Sequence, residues 1–453
     1  MSSSPTTQPS AVHDLGRRIW NSGAKRGLER LLRVILRVAV QEVPRPDAPT
    51  AEEIIERTED LNVAAERYYV DYRDREFLLA KPYSDPAHFA QYLFNLGALF
   101  HGLKVSPEDV VLELGAGSCW VSHFLNLFGC RTISVDVSSS ALELGRELFE
   151  RDARTRWDLE PRFLPYDGHT LPLADESCDR VVIHDAFHHV PNPDAILREL
   201  ARVLRPGGII AMCEPGRGHS ATEDSQREMT ETGVLERDIE LDELADSAEA
   251  AGFSHVSLLP LSLAGVPEVP ARELMAFARG QGFFDFWGNW VRHLMTHYYL
   301  LLYKGAYVPT TRRPGRLDAH IELLGDAAGA PTRLSAHPGE IVTVECRITN
   351  RGDTRWLTGE GGMFGWTRLG IHLYRGEEDK ALEYDWHRIE LPREVEPGAT
   401  VELPAAFVAP ATPGLYRLVL DLVAEQVIWF AQKGSQPVEI RLTVENDAPR
   451  RQS

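Results

Sequence analysis

Residues 110–118 read Val-Val-Leu-Glu-Leu-Gly-Ala-Gly-Ser, an apolar strand that runs into a glycine turn, and an acid follows at Asp136. No other stretch of the chain limits the fold as tightly. Gly115 and Gly117 let the backbone turn sharply and approach a ligand closely, and the next helix offers unpaired N–H groups. Asp136 stands 21 residues beyond Gly115, at the end of a second apolar strand (132–135). From that edge its carboxylate can accept hydrogen bonds from both hydroxyls of a ribose. Two glycines alone would say little. Strand, turn, helix, strand and acid in register predict a nucleoside held at the carboxyl edge of a parallel sheet.

The third small position separates the nucleoside cofactors. A pyrophosphate-binding turn wants Gly or Ala three residues after the second glycine, so that the helix can pack close. Here that residue is Trp120. Its bulk argues against a dinucleotide and suits a cofactor without a pyrophosphate. Further along come Tyr166-Asp167-Gly168 after a short strand, then Leu171-Pro172-Leu173 with Cys178-Asp179-Arg180-Val181-Val182. His184-Asp185-Ala186-Phe187-His188-His189-Val190 and Leu204-Arg205-Pro206-Gly207-Gly208 follow. In this order the motifs resemble those of class I S-adenosylmethionine-dependent methyltransferases, over roughly residues 60–305. The resemblance implies an α/β fold with a Rossmann-like seven-stranded sheet and S-adenosyl-L-methionine as cofactor. It assigns cofactor contacts to Glu113, Gly115, Gly117, Ser118, Asp136, Val137, Asp167, Gly168 and Asp185, with Asp167 near the adenine amino group.

Methyl transfer from a sulfonium is an in-line displacement, so positioning and a dry site supply much of the acceleration. A hydroxyl acceptor also needs a base, for which histidine is the usual choice near neutral pH. His188 and His189 follow strand four and Glu214 ends strand five, so these three are the expected catalytic groups, His188 first among them. Helices ahead of the first strand lid the cofactor in this family, which offers Tyr68, Tyr69, Lys81 and Tyr83 to the acceptor, with His219 on the opposite rim. No metal site is expected. The histidine loop also resembles that of quinone- and sterol-type methyltransferases.

Composition bounds the partners. The 453 residues suggest two or three domains, and a net charge of -19 argues against a nucleic-acid substrate. Five cysteines without metal-like spacing read as reduced thiols, and with no signal-peptide pattern the expected location is cytoplasmic. Residues 1–45 combine a Ser/Thr/Pro-rich start with a basic amphipathic helix: Leu28, Leu31, Leu32 and Ile35 share one face and Arg26, Arg30, Arg33 and Arg37 the other. Through residues 26–40 this helix fits the acidic body of the protein, a second copy in a homodimer, or, as a peripheral contact, the anionic inner face of a membrane. The aromatics Phe283, Phe284, Phe286, Trp287 and Trp290 lie in an expected helical insert over 268–296.

The methyltransferase-like region spans 46–306, and 307–317 reads as a linker. Residues 318–446 are rich in strands and turns, with expected strands at 341–349, 369–374, 401–408, 416–423, 427–431 and 438–444, before a tail at 447–453. That spacing predicts an antiparallel all-β sandwich. Pro413-Gly414-Leu415-Tyr416 and Asn350-Arg351-Gly352 resemble turns of immunoglobulin-like modules in bacterial proteins that handle polysaccharides. Trp356, Trp366, Trp386 and Trp429 offer faces for stacking on sugars. The expected acceptor is therefore a sugar hydroxyl of a glycan or lipid-linked saccharide. A small hydrophobic metabolite is the alternative, and a non-catalytic adaptor that binds the cofactor is a third.

Overall fold

The computed structural model describes residues 50–260, 271–279, 281, 296–325, 332–359 and 364–445. The basic helix at 26–40, the aromatics at 283–290 and the tail at 447–453 lie outside the described residues.

Among the described residues, four helices precede the sheet: α1 (Ala51–Glu56), α2 (Thr58–Asp71), α3 (Arg75–Leu79) and α4 (Phe89–Leu103). Thr50 and Glu53 close a reciprocal capping box at the start of α1. Arg57, with φ -96° and ψ 11°, ends α1 and precedes α2. The sheet region then runs β1 (Val110–Leu114), α5 (Trp120–Phe128), β2 (Arg131–Asp136), α6 (Ser139–Arg151), β3 (Arg162–Pro165), β4 (Cys178–His184), α7 (Pro193–Val203) and β5 (Leu204–Pro215). It closes with α8 (Glu223–Thr232), α9 (Leu241–Ala250), β6 (His255–Leu258), α10 (Ala271–Ala278) and β7 (His297–Tyr303).

Seven strands pair in the order β3-β2-β1-β4-β5-β7-β6. β7 runs antiparallel to both of its neighbours, β5 and β6, and the other pairs are parallel. Alternate residues feed opposite faces, as strand geometry requires. Leu112, Leu114, Ile183 and Met212 join one core, and Val111, Val182, Ile209 and Ala211 join the other. The chain moves outward from β1 through β2 and β3, then returns to β4 on the other side. Such a switch opens a crevice at the carboxyl ends of β1 and β4. The glycine turn and the histidine loop leave the sheet there.

The second domain comprises β8 (Ala319–Leu323), β9 (Thr332–Ala336), β10 (Ile341–Asn350), β11 (Thr367–Arg375), β12 (Ala381–Glu390), β13 (Thr400–Val408), β14 (Gly414–Ala424), β15 (Ile428–Trp429) and β16 (Val438–Val444). One sheet is ordered β13-β10-β8 and the other β12-β11-β14-β16-β9, with β15 added beside β14. Ile348 and Val401 of the first sheet share a core with Leu369 and Leu418 of the second. Three features differ from the sequence reading. β9 lies parallel to β16, so the sheets are not wholly antiparallel. β8, β9 and β12 were not expected; β12 has no fully buried residue, although Leu382, Tyr384 and Trp386 alternate along it. The strand expected at 427–431 is only Ile428–Trp429, because a 3₁₀ turn over Phe430–Lys433 follows at once.

Of the four tryptophans, Trp356 is fully buried against Phe430 and cannot meet a sugar. Trp366 and Trp429 are half-buried under the guanidinium groups of Arg312 and Arg388, and Trp386 leans on Phe407. Residues 307–312 are not a free linker. Pro309 accepts a hydrogen bond from the Arg355 N–H, Thr311 Oγ1 accepts from the Leu357 N–H, and Arg312 pairs with Glu108 and Asp109 of the first domain. A cavity of about 750 Å³ at this junction is lined by Arg131, Asp179, Arg205, Arg312 and Arg355. It lies at the amino ends of the strands, the edge opposite to the one where open α/β sheets bind their ligands.

Two expected results follow from this domain. Asn350 is fully buried; its Nδ2 donates to the Thr354 and Val395 carbonyls and its Oδ1 accepts from the Gly352 N–H. Asn350→Ala strands those groups and is expected to cost about 2–4 kcal/mol, read as a lowered melting temperature. Asp421 is also buried, and burial pushes its carboxyl up to about 6 despite hydrogen bonds from the Ala431 and Leu422 N–H groups. A raised folded-state value means that the folded protein holds the proton more tightly than the unfolded chain. Its favourable contribution is complete below the unfolded value near 3.8 and is lost as pH rises through about 6. Asp421→Asn is therefore expected to stabilise the protein by about 1–3 kcal/mol at pH 7.5 and hardly at all at pH 4, measured by thermal melts at both values.

Candidate active site

The glycine turn is fixed first. Gly115 and Ala116 both donate to the Val135 carbonyl, which ties the turn to β2. Gly115 and Gly117 have φ of +66° and +51°, the left-handed region that side chains avoid. A Cβ on Gly115 would stand 2.4 Å from the Ala186 Cβ, and one on Gly117 would stand 2.5 Å from the Tyr69 hydroxyl. The turn is thus bare backbone, roofed on one side by the histidine loop and on the other by α2. Asp136, 6% exposed, accepts from Gly117 N–H on Oδ2 and from Ser138 N–H on Oδ1, each at 2.8 Å. Each oxygen keeps a second lone pair for a ribose hydroxyl. Burial pushes this carboxyl up to about 6.

Two latches hold α2 over the turn. Glu66 accepts from the hydroxyls of Ser138 and Ser140, both at 2.6 Å, and Asn62 donates to the Asp167 carbonyl. Asn62 also fills the space beside Gly168. Asp167 is exposed; its Oδ1 caps the backbone of His169 and Thr170, and Oδ2 stays available. Ser118 is buried and Val137 half-buried behind the turn. Glu113 departs from its expected role, because its carboxyl accepts from Ser122 N–H and braces the first turn of α5. Burial pushes it up to about 8. Trp120 packs edge-on against His184 and Tyr92. These residues fit a nucleoside carrying a short charged chain.

The opposite rim begins where β4 ends. Asp185 adopts φ +48° and redirects the chain into a 3₁₀ turn, Phe187–His189. Glu214 secures that turn from β5. It has no exposure, and it accepts from the N–H groups of Ala186, Phe187 and His188 and from His188 Nδ1–H, the last at 2.7 Å. Glu214 therefore positions His188 and does not itself reach a substrate, which corrects its expected catalytic role. Burial pulls the His188 imidazole down, but the bond to Glu214 and the charges of Glu214, Glu236 and Asp185 more than offset it, leaving it raised. His189 is pushed down to about 4 by burial and by its neighbour His188. Its Nδ1–H is taken by the Leu235 carbonyl at 2.5 Å. His219 does not reach across to the other substrate residues; its Nε2 meets Glu236 at 2.6 Å.

Of the four lid residues, three gather at the site. Tyr69 roofs Gly117, and Tyr68 feels the charges of Glu228 and Glu236. Lys81 is lowered by burial, against the opposing charges of Asp185, Asp85 and Glu228. Asp185 sits with Lys81 and His184 on the histidine side of the crevice, next to Ala186 over the glycine turn. Tyr83 stays 66% exposed against Phe89. The sequence reading missed Glu66, Asn62, Tyr92, Glu228 and Glu236. All belong to helices or loops outside the motifs, so only packing brings them in.

Known proteins share part of this sequence. A family described as "Methyltransferase domain" matches residues 112–212. Methyltransferase GfsG of Streptomyces halstedii is 32% identical over 123 residues, 26% of this chain and 41% of its own length. Demethylmenaquinone methyltransferase of Clavibacter sepedonicus is 36% identical over 104 residues, 23% of this chain and 40% of its own. The same-named protein of Tropheryma whipplei is 26% identical over 184 residues, 36% of this chain and 74% of its own. The chain thus spans about 40% of the length of the first two relatives. Among solved structures, the YcgJ protein from Bacillus subtilis is 17% identical with a TM-score of 0.34, covering 47% of this chain and 99% of that one. From β1 to β5 the chain thus matches a methyltransferase domain, whose cofactor is S-adenosyl-L-methionine.

Proposed function

We propose that this protein transfers the methyl group of S-adenosylmethionine to a hydroxyl of a small, largely apolar acceptor. One observation carries the reading: the Glu214-held histidine turn lies directly on the glycine turn, with Ala186 over Gly115. When bound, the cofactor supplies an electrophilic methyl group on sulfur. The chain's own residues do the rest. Asp136 fixes the ribose, Tyr69 and α2 close the turn from water, and the cluster around His188 receives the acceptor's proton. Tyr68, Tyr92 and Lys81 line the acceptor's side, where two ring faces favour an apolar or aromatic body. The relatives named for demethylmenaquinone favour the same class, and the glycan acceptor expected from sequence gains nothing from them. We read the two-sheet domain as immunoglobulin-like and as an assembly module, because Arg312 and residues 309–311 fasten it to the first domain.

Methyl-labelled S-adenosylmethionine added to a cell extract tests this, with Asp136→Ala as control. Label in organic-soluble small molecules supports the reading. Label confined to polysaccharide or lipid-linked sugar would restore the glycan acceptor. No label above the control, with unmethylated acceptor supplied, would leave a cofactor-binding adaptor.

A further inference from the structure

We propose that His188, His189 and Glu236 form a site for one divalent first-row transition-metal ion on the acceptor's side of the crevice. One nitrogen from each histidine and a carboxylate oxygen of Glu236 lie within 4.8 Å of one another. The trio is assembled from two distant segments, the turn after β4 and the loop between α8 and α9. His188 Nε2 stands 3.6 Å from Glu236 Oε2. That gap is long for a hydrogen bond. It is close to the edge, about 3.4 Å, of a tetrahedron whose N and O ligands sit 2.0–2.1 Å from an ion. Two imidazoles and a carboxylate are a donor set that such ions accept.

Each member of the trio is held by a group outside it. Glu214 takes the His188 Nδ1–H at 2.7 Å and the Leu235 carbonyl takes the His189 Nδ1–H at 2.5 Å, so each ring in its neutral form has its Nε2 lone pair for an ion. His219 Nε2–H donates to Glu236 Oε2 at 2.6 Å, and Glu236 Oε1 lies 3.5 Å from His189 Nδ1. Carboxylates and carbonyls that fix the far nitrogen are the usual outer shell of metal-binding histidines. Glu214 and Glu236 bring two buried carboxylates, at 0% and 6% exposure. A dication would balance them. The sequence offered no such site, because Glu236 lies 47 residues beyond His189 with no motif to join them.

The use of the ion rests on the proposed function: it would bind and orient the acceptor's oxygen and make it more acidic, and with His188 Nε2 as a ligand the acceptor's proton would pass to water instead of to the ring. Its binding can be tested apart from activity. The full-length chain, stripped with chelator, is titrated with Co²⁺ and followed by visible d–d absorption. One equivalent and a band are expected, with affinity weakened about 100-fold or more in His189→Ala and Glu236→Gln and about 10–100-fold in Glu214→Gln. The first two variants should bind S-adenosylhomocysteine as the parent does, which shows that they are folded. No band, or a band that both variants keep, overturns the site. A band lost in both supports it even if no methyl transfer is found, a result that would sink the proposed function alone.

Discussion

Asp136→Ala is expected to weaken binding of S-adenosylhomocysteine by about 10²–10⁴-fold, measured by titration calorimetry. The magnitude follows from two hydrogen bonds between the ribose diol and an ionised acceptor, at about 1.5–3 kcal/mol each. The buried carboxylate is already oriented by Gly117 and Ser138, so little ordering opposes binding. Because burial raises this carboxyl to about 6, the protein should also bind less tightly as pH falls through that value. The sign is set by which form accepts: protonation removes a lone pair and a charge from the ribose site. Asp136→Asn, which keeps the shape, should lose less affinity and most of the pH dependence. An alanine variant that binds like the parent, with an unchanged melting temperature, would remove Asp136 from the cofactor site.

Glu214→Ala is expected to abolish methyl transfer, lowering kcat by about 100-fold or more, while S-adenosylhomocysteine binding changes little. It should also destabilise the fold by about 3–5 kcal/mol, the usual cost of breaking a buried hydrogen-bonded charge pair. Three backbone donors and the His188 imidazole lose one acceptor together. Glu214 acts through His188, so the decisive readout is the state of that ring. Nitrogen NMR should show a proton held on Nδ1 in the parent and released to either nitrogen in the variant. Glu214→Gln, which keeps one acceptor oxygen, should restore most of the stability but not the rate. Unchanged kcat in a folded Glu214→Ala protein would show that the position of His188 is irrelevant to turnover. The same orientation of the ring leaves Nε2 open either to proton uptake or, with an ion bound, to metal ligation, each excluding the other.

The sequence alone determined the first domain's frame. Residues 110–118 and Asp136 announce β1, its turn and β2 because each step has a local physical cause. Consecutive apolar side chains need cover on both faces, glycine is the residue for φ near +60°, and an acid at a strand end meets whatever the turn holds. Trp120 excluded the pyrophosphate for an equally local reason, its volume. The second domain was half legible: strands with alternating burial such as β13 were found, whereas β12, which has no fully buried residue, was not.

What only the tertiary structure decided is who faces whom. Sequence placed Glu214 on the active edge as a catalytic group. Packing turned its carboxyl inward, where three backbone N–H groups of the turn after β4 donate to it. It also put Glu66 on Ser138 and Ser140, stood Tyr69 over Gly117, and carried Glu236 to His188 and His189. None of these pairings has a periodicity or a spacing, since each joins segments whose separation along the chain is set by loops. A motif records what the backbone needs within a few residues. The contacts that orient a histidine or close a lid depend on which helix comes to rest above the sheet, and that is decided by the core beneath it.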